Sequence, residues 1–218
     1  MFKFRKFALI LTVAAAAGLA AGLFAADSTQ PSMQKGAADA KAAMQPPMSE
    51  KEMMEQYEKA SALNDHHKHI QKMVGTWSAV VKWWPAPGAP ASESKGTAKF
   101  TSILGGHFVQ MDYQGDMMGQ PFQGSGTFGY DNGRKKHVST WIDSMGTGFS
   151  ASAGDCEKDC TIIKGHGESW NPVTSQKETS REITRWEGDT KMVVEMYGPS
   201  PDGKVKEYKM MEISYTKQ

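Results

Sequence analysis

From Gly75 to the end of the chain, short runs rich in Val, Ile, Thr, Trp, Tyr and Phe alternate with turn signals. No stretch between them is long enough for a crossover helix. Parallel neighbours need such a crossover, so the pattern restricts the chain to antiparallel pairing. The runs predict strands near 76–84, 96–103, 107–115, 121–130, 135–143, 147–153, 160–168, 177–186, 190–197 and 204–216. Asp131-Asn132-Gly133, Glu187-Gly188-Asp189 and Pro201-Asp202-Gly203 fall between runs, where Asn-Gly and Asp-Gly supply positive φ angles for hairpin turns. Ten strands with short connections predict a mainly β meander, and a meander of this size closes into an up-and-down barrel that leaves no free edge.

What precedes the strands has a different character. Lys3, Arg5 and Lys6 lead into an uncharged run from Phe7 to Phe24, the layout of a secretory signal over 1–26. An uncleaved anchor is the alternative, since the run just reaches spanning length. Residues 27–48, rich in Ala, Gln, Met and Pro, predict a disordered linker. Ser49 and Glu52 fit a capping box and start a helix expected over 49–74. Met53, Ala60, Leu63, His67 and Ile70 would form its apolar face. Residues 75–218 then form the barrel domain.

Charge and cysteine usage narrow the setting. The chain has 25 basic and 24 acidic residues, and losing the leader's three basic residues would leave an excess of two acids. Such balance gives no electrostatic footprint for nucleic acid. It also offers no polybasic run to hold a membrane surface, so no membrane contact is expected beyond an N-terminal anchor. The leader predicts export to the periplasm or beyond, where Cys156 and Cys160 would pair as a disulfide across a tight turn.

Strand alternation supplies the candidate binding residues. One face of the run at 107–113 carries His107, Val109, Met111 and Tyr113. One face of the run at 136–143 carries His137, Ser139, Trp141 and Asp143. These faces mix apolar, aromatic and polar groups, as the lining of a partly polar lumen would. His107, Met111, Tyr113, His137, Ser139, Trp141 and Asp143 are therefore the expected ligand-binding set. A slip of one residue in register would exchange the faces. In a hollow barrel Trp141 and Asp143 line the lumen; in a filled one Asp143 must be paired with a donor.

Other motifs are weaker. Gly124 to Gly129 matches G-x-G-x-x-G, but a hairpin turn follows instead of a helix, so the glycines are read as allowing a strand to bend. His66, His67 and His69 lie near the helix end. His66 and His69 share a helical face but lack further ligands there for a metal, and His67 is expected to pack where the helix covers the barrel mouth. The 15 methionines follow no regular spacing that would mark a copper array. No nucleophile elbow is present, and adjacent Asp143 and Ser144 should point to opposite faces. Trp83-Trp84 ahead of Pro85 place one aromatic ring on each face of a strand end, one of them expected to be exposed at the mouth.

Two segments together resemble a known bacterial family. His67 to Trp77 runs from helix into strand, and residues 115–148 contain a Met-Gly-x-Pro-Phe-x-Gly-x-Gly block, a Gly-Tyr-Asp turn and Thr-Trp-Ile-Asp-Ser. Over 64–217 the chain is similar to DUF1579, a domain of unknown function. The resemblance implies a calycin-like barrel akin to lipocalins and brings no established activity. It leaves the cysteine pair as a local addition. The leading expectation is a non-enzymatic exported protein binding a small, partly apolar ligand in a barrel cavity. Alternatives are a haem or metal protein using His67, His107, His137 or His166, a hydrolase or isomerase using Asp143 or Glu212 with a histidine, and a structural interaction module with a filled barrel. No cofactor and no oligomeric state is assigned.

Overall fold

The computed structural model describes residues 48–157, 159–171 and 175–218. The leader expected over 1–26 and the linker up to Pro47 lie outside them. Two helices, α1 (Glu50–Ser61) and α2 (Asp65–Gln71), precede ten strands. The strands are β1 (Gly75–Trp83), β2 (Ser92–Ile103), β3 (Phe108–Met117), β4 (Gln120–Asp131), β5 (Lys136–Asp143), β6 (Ser150–Glu157), β7 (Ile162–Asn171), β8 (Gln176–Trp186), β9 (Lys191–Gly198) and β10 (Tyr208–Lys217). A short 3-10 turn, Leu104–Gly106, joins β2 to β3. Each strand pairs antiparallel with its neighbours in sequence, and β1 pairs with β10 to close the barrel. The fold expected from the turn-punctuated pattern is the fold formed. Among the described residues no helix is long and apolar enough to cross a membrane.

The single helix expected over 49–74 is instead two. Asn64 breaks it: its side-chain oxygen accepts from the backbone N–H groups of His66 and His67 and so starts α2. Asn132, in the β4–β5 turn, donates to the carbonyl oxygens of Ala60 and Ala62 at the end of α1, both at 2.8 Å. Asn64 donates in turn to the Asn132 side chain, at 2.8 Å. Orphan backbone groups on both sides of the break are thus satisfied, and the chain gains by bending there. The Ser49–Glu52 capping box at the start of α1 is present. The expected apolar face holds only in part: α1 buries nothing, Leu63 is exposed, and His67 and Ile70 of α2 are buried.

The barrel has two unlike ends. At the helix end, α2 lies over the lumen, and the wall there is held by Trp77, Phe100 and Val109, all less than 2% exposed. Trp77 donates from its indole to the Met73 carbonyl at 2.7 Å, which ties the exit of α2 to the first strand. Its ring meets Phe100 and Trp186 edge-on. Burying one such indole removes about 200 Å² from water, an upper bound of roughly 5 kcal/mol. At the other end, among the described residues, there are only loops.

Register settles which face looks inward. Val109, Met111 and Tyr113 of β3 are buried. His137 and Ser139 of β5 pair with Tyr130 and Phe128 of β4 and with Gly154 and Ser152 of β6, while Trp141 and Asp143 pair with Gly126 and Gly124 of β4. The inward face of β8 carries Ser180, Glu182, Thr184 and Trp186, opposite Met196, Val194 and Met192 of β9. Between Trp141 near one end and Trp186 near the other, the arc from β5 to β8 carries the small or polar groups Ser139, Ser152, Ser180 and Glu182.

Candidate functional site

At the loop end, Tyr113, Phe122 and Trp141 form an aromatic cluster with ring centroids 5.8–6.5 Å apart. Gly124 makes room for it: a Cβ there would sit 2.1 Å from the Trp141 ring. The Trp141 indole donates to Asp143 at 2.9 Å, and the Met145 amide donates to the other carboxylate oxygen at 2.9 Å. Asp143 therefore faces the lumen side but is held by two donors. Ser144 turns away, as expected, to exchange hydrogen bonds with the Gln123 backbone.

Tyr113 differs from its neighbours. Its hydroxyl is buried and has no hydrogen-bond partner among the described residues. Burial pushes its pKa up, so the phenol keeps its proton and remains a donor without an acceptor. Leaving such a group unpaired costs about 1–3 kcal/mol. Around this end Met118, Met145, Phe149 and Trp170 are exposed on the connecting loops and strand ends. The expected exposed member of Trp83-Trp84 is absent. Both are half-buried, and Lys209 lies 5.1 Å above the Trp84 ring. Trp170, 66% exposed, is the tryptophan at the surface.

The middle of the lumen is polar on one side. The Ser139 and Ser152 hydroxyls are 2.7 Å apart, and the Ser180 hydroxyl donates to Glu182 at 3.2 Å. Burial raises the pKa of Glu182, with the Ser152 and Ser180 hydroxyls and His166 opposing. Met111 receives the Tyr215 hydroxyl at 4.0 Å. Glu182 was not among the expected site residues. The signal that could have found it is the spacing Ser180, Glu182, Thr184, Trp186, which puts it on the face of a core tryptophan.

At the helix end a second cluster forms. His66 of α2 stacks on Tyr130, with centroids 4.0 Å apart and planes 8° from parallel. Its Nδ1 lies 3.2 Å from Nε2 of His137. Cys160 Sγ lies 3.4 Å from the same His66 nitrogen and 3.8 Å from that of His137. Cys156 and Cys160 are bonded as expected. Burial, followed by the neighbouring histidines, pushes His137 down to about 4, so it is neutral at physiological pH. His69, which shares a helical face with His66, meets Trp186 edge-on. His67 is buried under the helix, as expected. A groove of about 450 Å³ beside α2 exposes this cluster, with Asp65, Lys68, Lys72 and Asp159 on its walls.

The expected ligand-binding set is thus divided. Tyr113, Trp141 and Asp143 meet at the loop end, Met111 and Ser139 lie between, and His137 belongs to the helix end. His107 stands apart in the turn before β3, where its two ring nitrogens face the carbonyl oxygens of Leu104 and Ser61 at 2.7 and 2.9 Å. It holds α1 to the barrel. His166 is exposed on the outer face of β7. Glu212 pairs with Lys209, and Asp143 has no histidine partner among its hydrogen bonds, so neither forms the acid–base pair that the hydrolase or isomerase alternative requires. The G-x-G-x-x-G match lies inside β4 and leads into a hairpin turn.

The fold and these sites define a small closed antiparallel β-barrel, plugged at one end by a helix and carrying an aromatic cluster at the other. The chain belongs to the family described as Protein of unknown function (DUF1579), whose model matches residues 62–217. No curated protein sequence matches it. Among solved structures it is similar to a redesigned beta barrel, at 11% identity and a TM-score of 0.38, covering 68% of this chain and 94% of that one.

Proposed function

We propose that this protein is an exported, non-catalytic carrier or sensor of a small, partly apolar ligand that enters at the loop end of the barrel. The observation that carries the reading is the Tyr113 hydroxyl, a buried donor with no acceptor among the described residues, set against Phe122 and Trp141 at the end where Met118, Met145 and Phe149 are exposed. A ligand with an apolar body and one acceptor oxygen would cover the rings and satisfy that hydroxyl. The polar arc at Ser139, Ser152 and Glu182 would accommodate a second polar group. The disulfide and the signal-like first 26 residues support an oxidising compartment.

Native mass spectrometry of the purified chain tests this. A bound mass is expected, or uptake of an amphiphile from a panel of fatty acids, sterols and aromatic acids. Tyr113→Phe should weaken uptake by about 2- to 10-fold, the worth of one neutral hydrogen bond, while leaving the free protein at least as stable. No bound mass before or after incubation with the panel would refute the reading. That result would favour a filled-barrel interaction module, to which the paired state of Asp143 also points.

A further inference from the structure

We propose that Cys156, Cys160, His66 and His137 form a four-ligand site for a zinc-like divalent cation when the disulfide is reduced. The site lies at the helix end of the barrel and does not depend on ligand uptake at the loop end.

Geometry carries the proposal. One ligand atom from each of the four residues lies within 4.8 Å of every other. A tetrahedral zinc with nitrogen near 2.0–2.1 Å and sulfur near 2.3 Å has edges of about 3.4 Å between nitrogens and about 3.6 Å between nitrogen and sulfur. The corresponding separations are 3.2 Å between the imidazoles and 3.4 and 3.8 Å from Cys160 to each of them. Three of the ligands thus already stand near the corners of a coordination tetrahedron. Cys156 is the fourth; once the S–S bond is broken its sulfur must move to about 3.8 Å from that of Cys160.

The two imidazoles are also held in place. Tyr130 stacks flat on His66 and meets His137 edge-on at 5.1 Å. The ligands come from four separate places: α2, β5, the end of β6 and the turn that follows it. Their convergence therefore depends on the closed barrel and the docked helix. The groove beside α2 reaches His66, Cys156 and Cys160 from solvent, so a cation and a small reductant have a route.

The chemistry balances in two steps. A dithiol reductant supplies two electrons and two protons; the S–S bond breaks, two thiols form, and the reductant leaves as its own disulfide. The cation then displaces one proton from each thiol to solvent and binds two thiolates and two neutral imidazoles. Disulfide and metal are alternative clasps. The disulfide ties the end of β6 to the turn that follows it, whereas the metal would also tie both to α2 and β5.

The test uses the purified chain, kept either oxidised or reduced with a phosphine under anaerobic conditions, with cobalt(II) as the spectroscopic stand-in for zinc. The reduced chain should bind one equivalent with the ligand-field bands of a tetrahedral ion and a thiolate-to-cobalt charge-transfer band. The oxidised chain should show neither, and reoxidation should expel the metal. His66 is half-buried on α2, and His66→Ala should lower zinc affinity of the reduced chain by at least the 10- to 100-fold that loss of a mere outer-shell partner costs. Cys156→Ser with Cys160→Ser should abolish the charge-transfer band. No binding by the reduced wild-type chain, an octahedral spectrum, or equal binding by the oxidised chain would overturn the proposal.

Discussion

Gly124→Ala tests whether the aromatic cluster at the loop end sets the local packing. The new Cβ would lie 2.1 and 2.3 Å from two atoms of the Trp141 ring, which cannot be tolerated without movement. The ring must swing away, and its indole then loses Asp143 at 2.9 Å and its near-parallel contact with Phe122. Overpacking of this kind costs about 1–3 kcal/mol. With Trp141→Ala already in place the clash is gone. The same glycine substitution should then be neutral or stabilise by about 0.4–1 kcal/mol, because it restricts only the unfolded chain. The coupling between the two positions is therefore about 1–4 kcal/mol, above the experimental error of a cycle. Urea denaturation of the wild type, both single variants and the double variant measures it. Equal costs of Gly124→Ala in the two backgrounds would show that the ring does not rest on this glycine.

Two further outcomes follow from the interior and the helix break. Burial raises the pKa of Glu182, so between about 4.5 and that raised value the folded chain holds a proton that the unfolded chain has released. The stabilisation by that proton is complete below about 4.5 and is lost as pH climbs through the folded value. Glu182→Gln should therefore raise the Tm at neutral pH, with the gain closing as pH falls toward 4.5; a gain that grows in acid would contradict this. Asn64→Ala should cost about 1–2 kcal/mol by removing the cap of α2, and amide exchange in Lys68 to Ile70 should quicken. Unchanged exchange there would mean that α2 is held by packing alone.

All ten strands were legible because punctuation and alternation are local signals. Asn132-Gly133 between two alternating runs is enough to place the β4–β5 hairpin. The inward face of β5 was legible for the same reason, as was the staple between Cys156 and Cys160. The break in the helix was visible only in Asn64, and its strength comes from Asn132, 68 positions away. The His–Cys cluster was illegible on similar grounds. His66 suggested a partner on its own helix, but the ring that meets it, His137, is 71 positions further on. Alternation says that His137 faces inward; it does not say which end of the barrel α2 covers. The unpaired state of Tyr113 likewise depends on three-dimensional neighbours, since its hydroxyl lies against Gly96 and Gly115, which bring no side chain to it.

The closing seam between β1 and β10 has a consequence in time. Within β3 and β4 the partners Tyr113 and Gly124 are 11 positions apart, whereas across the seam Val80 and Ser214 are 134 apart. Bringing the seam together costs about 2 kcal/mol more chain entropy than a hairpin of that kind. Hairpins can zip one onto the next, so the seam is the last ladder to form and the first to part. One end of it is anchored: Trp77 is tied to Met73, and the Gln218 amide donates to Thr76 at 2.9 Å. At the other end the seam finishes with the Trp84 amide donating to Met210 at 2.9 Å, beside a register irregularity between Lys209 and Met211 on the opposite, β9-facing edge of β10. The barrel should therefore unzip from the loop end toward the helix, briefly offering two free strand edges to another chain before the core at Trp77 is disturbed.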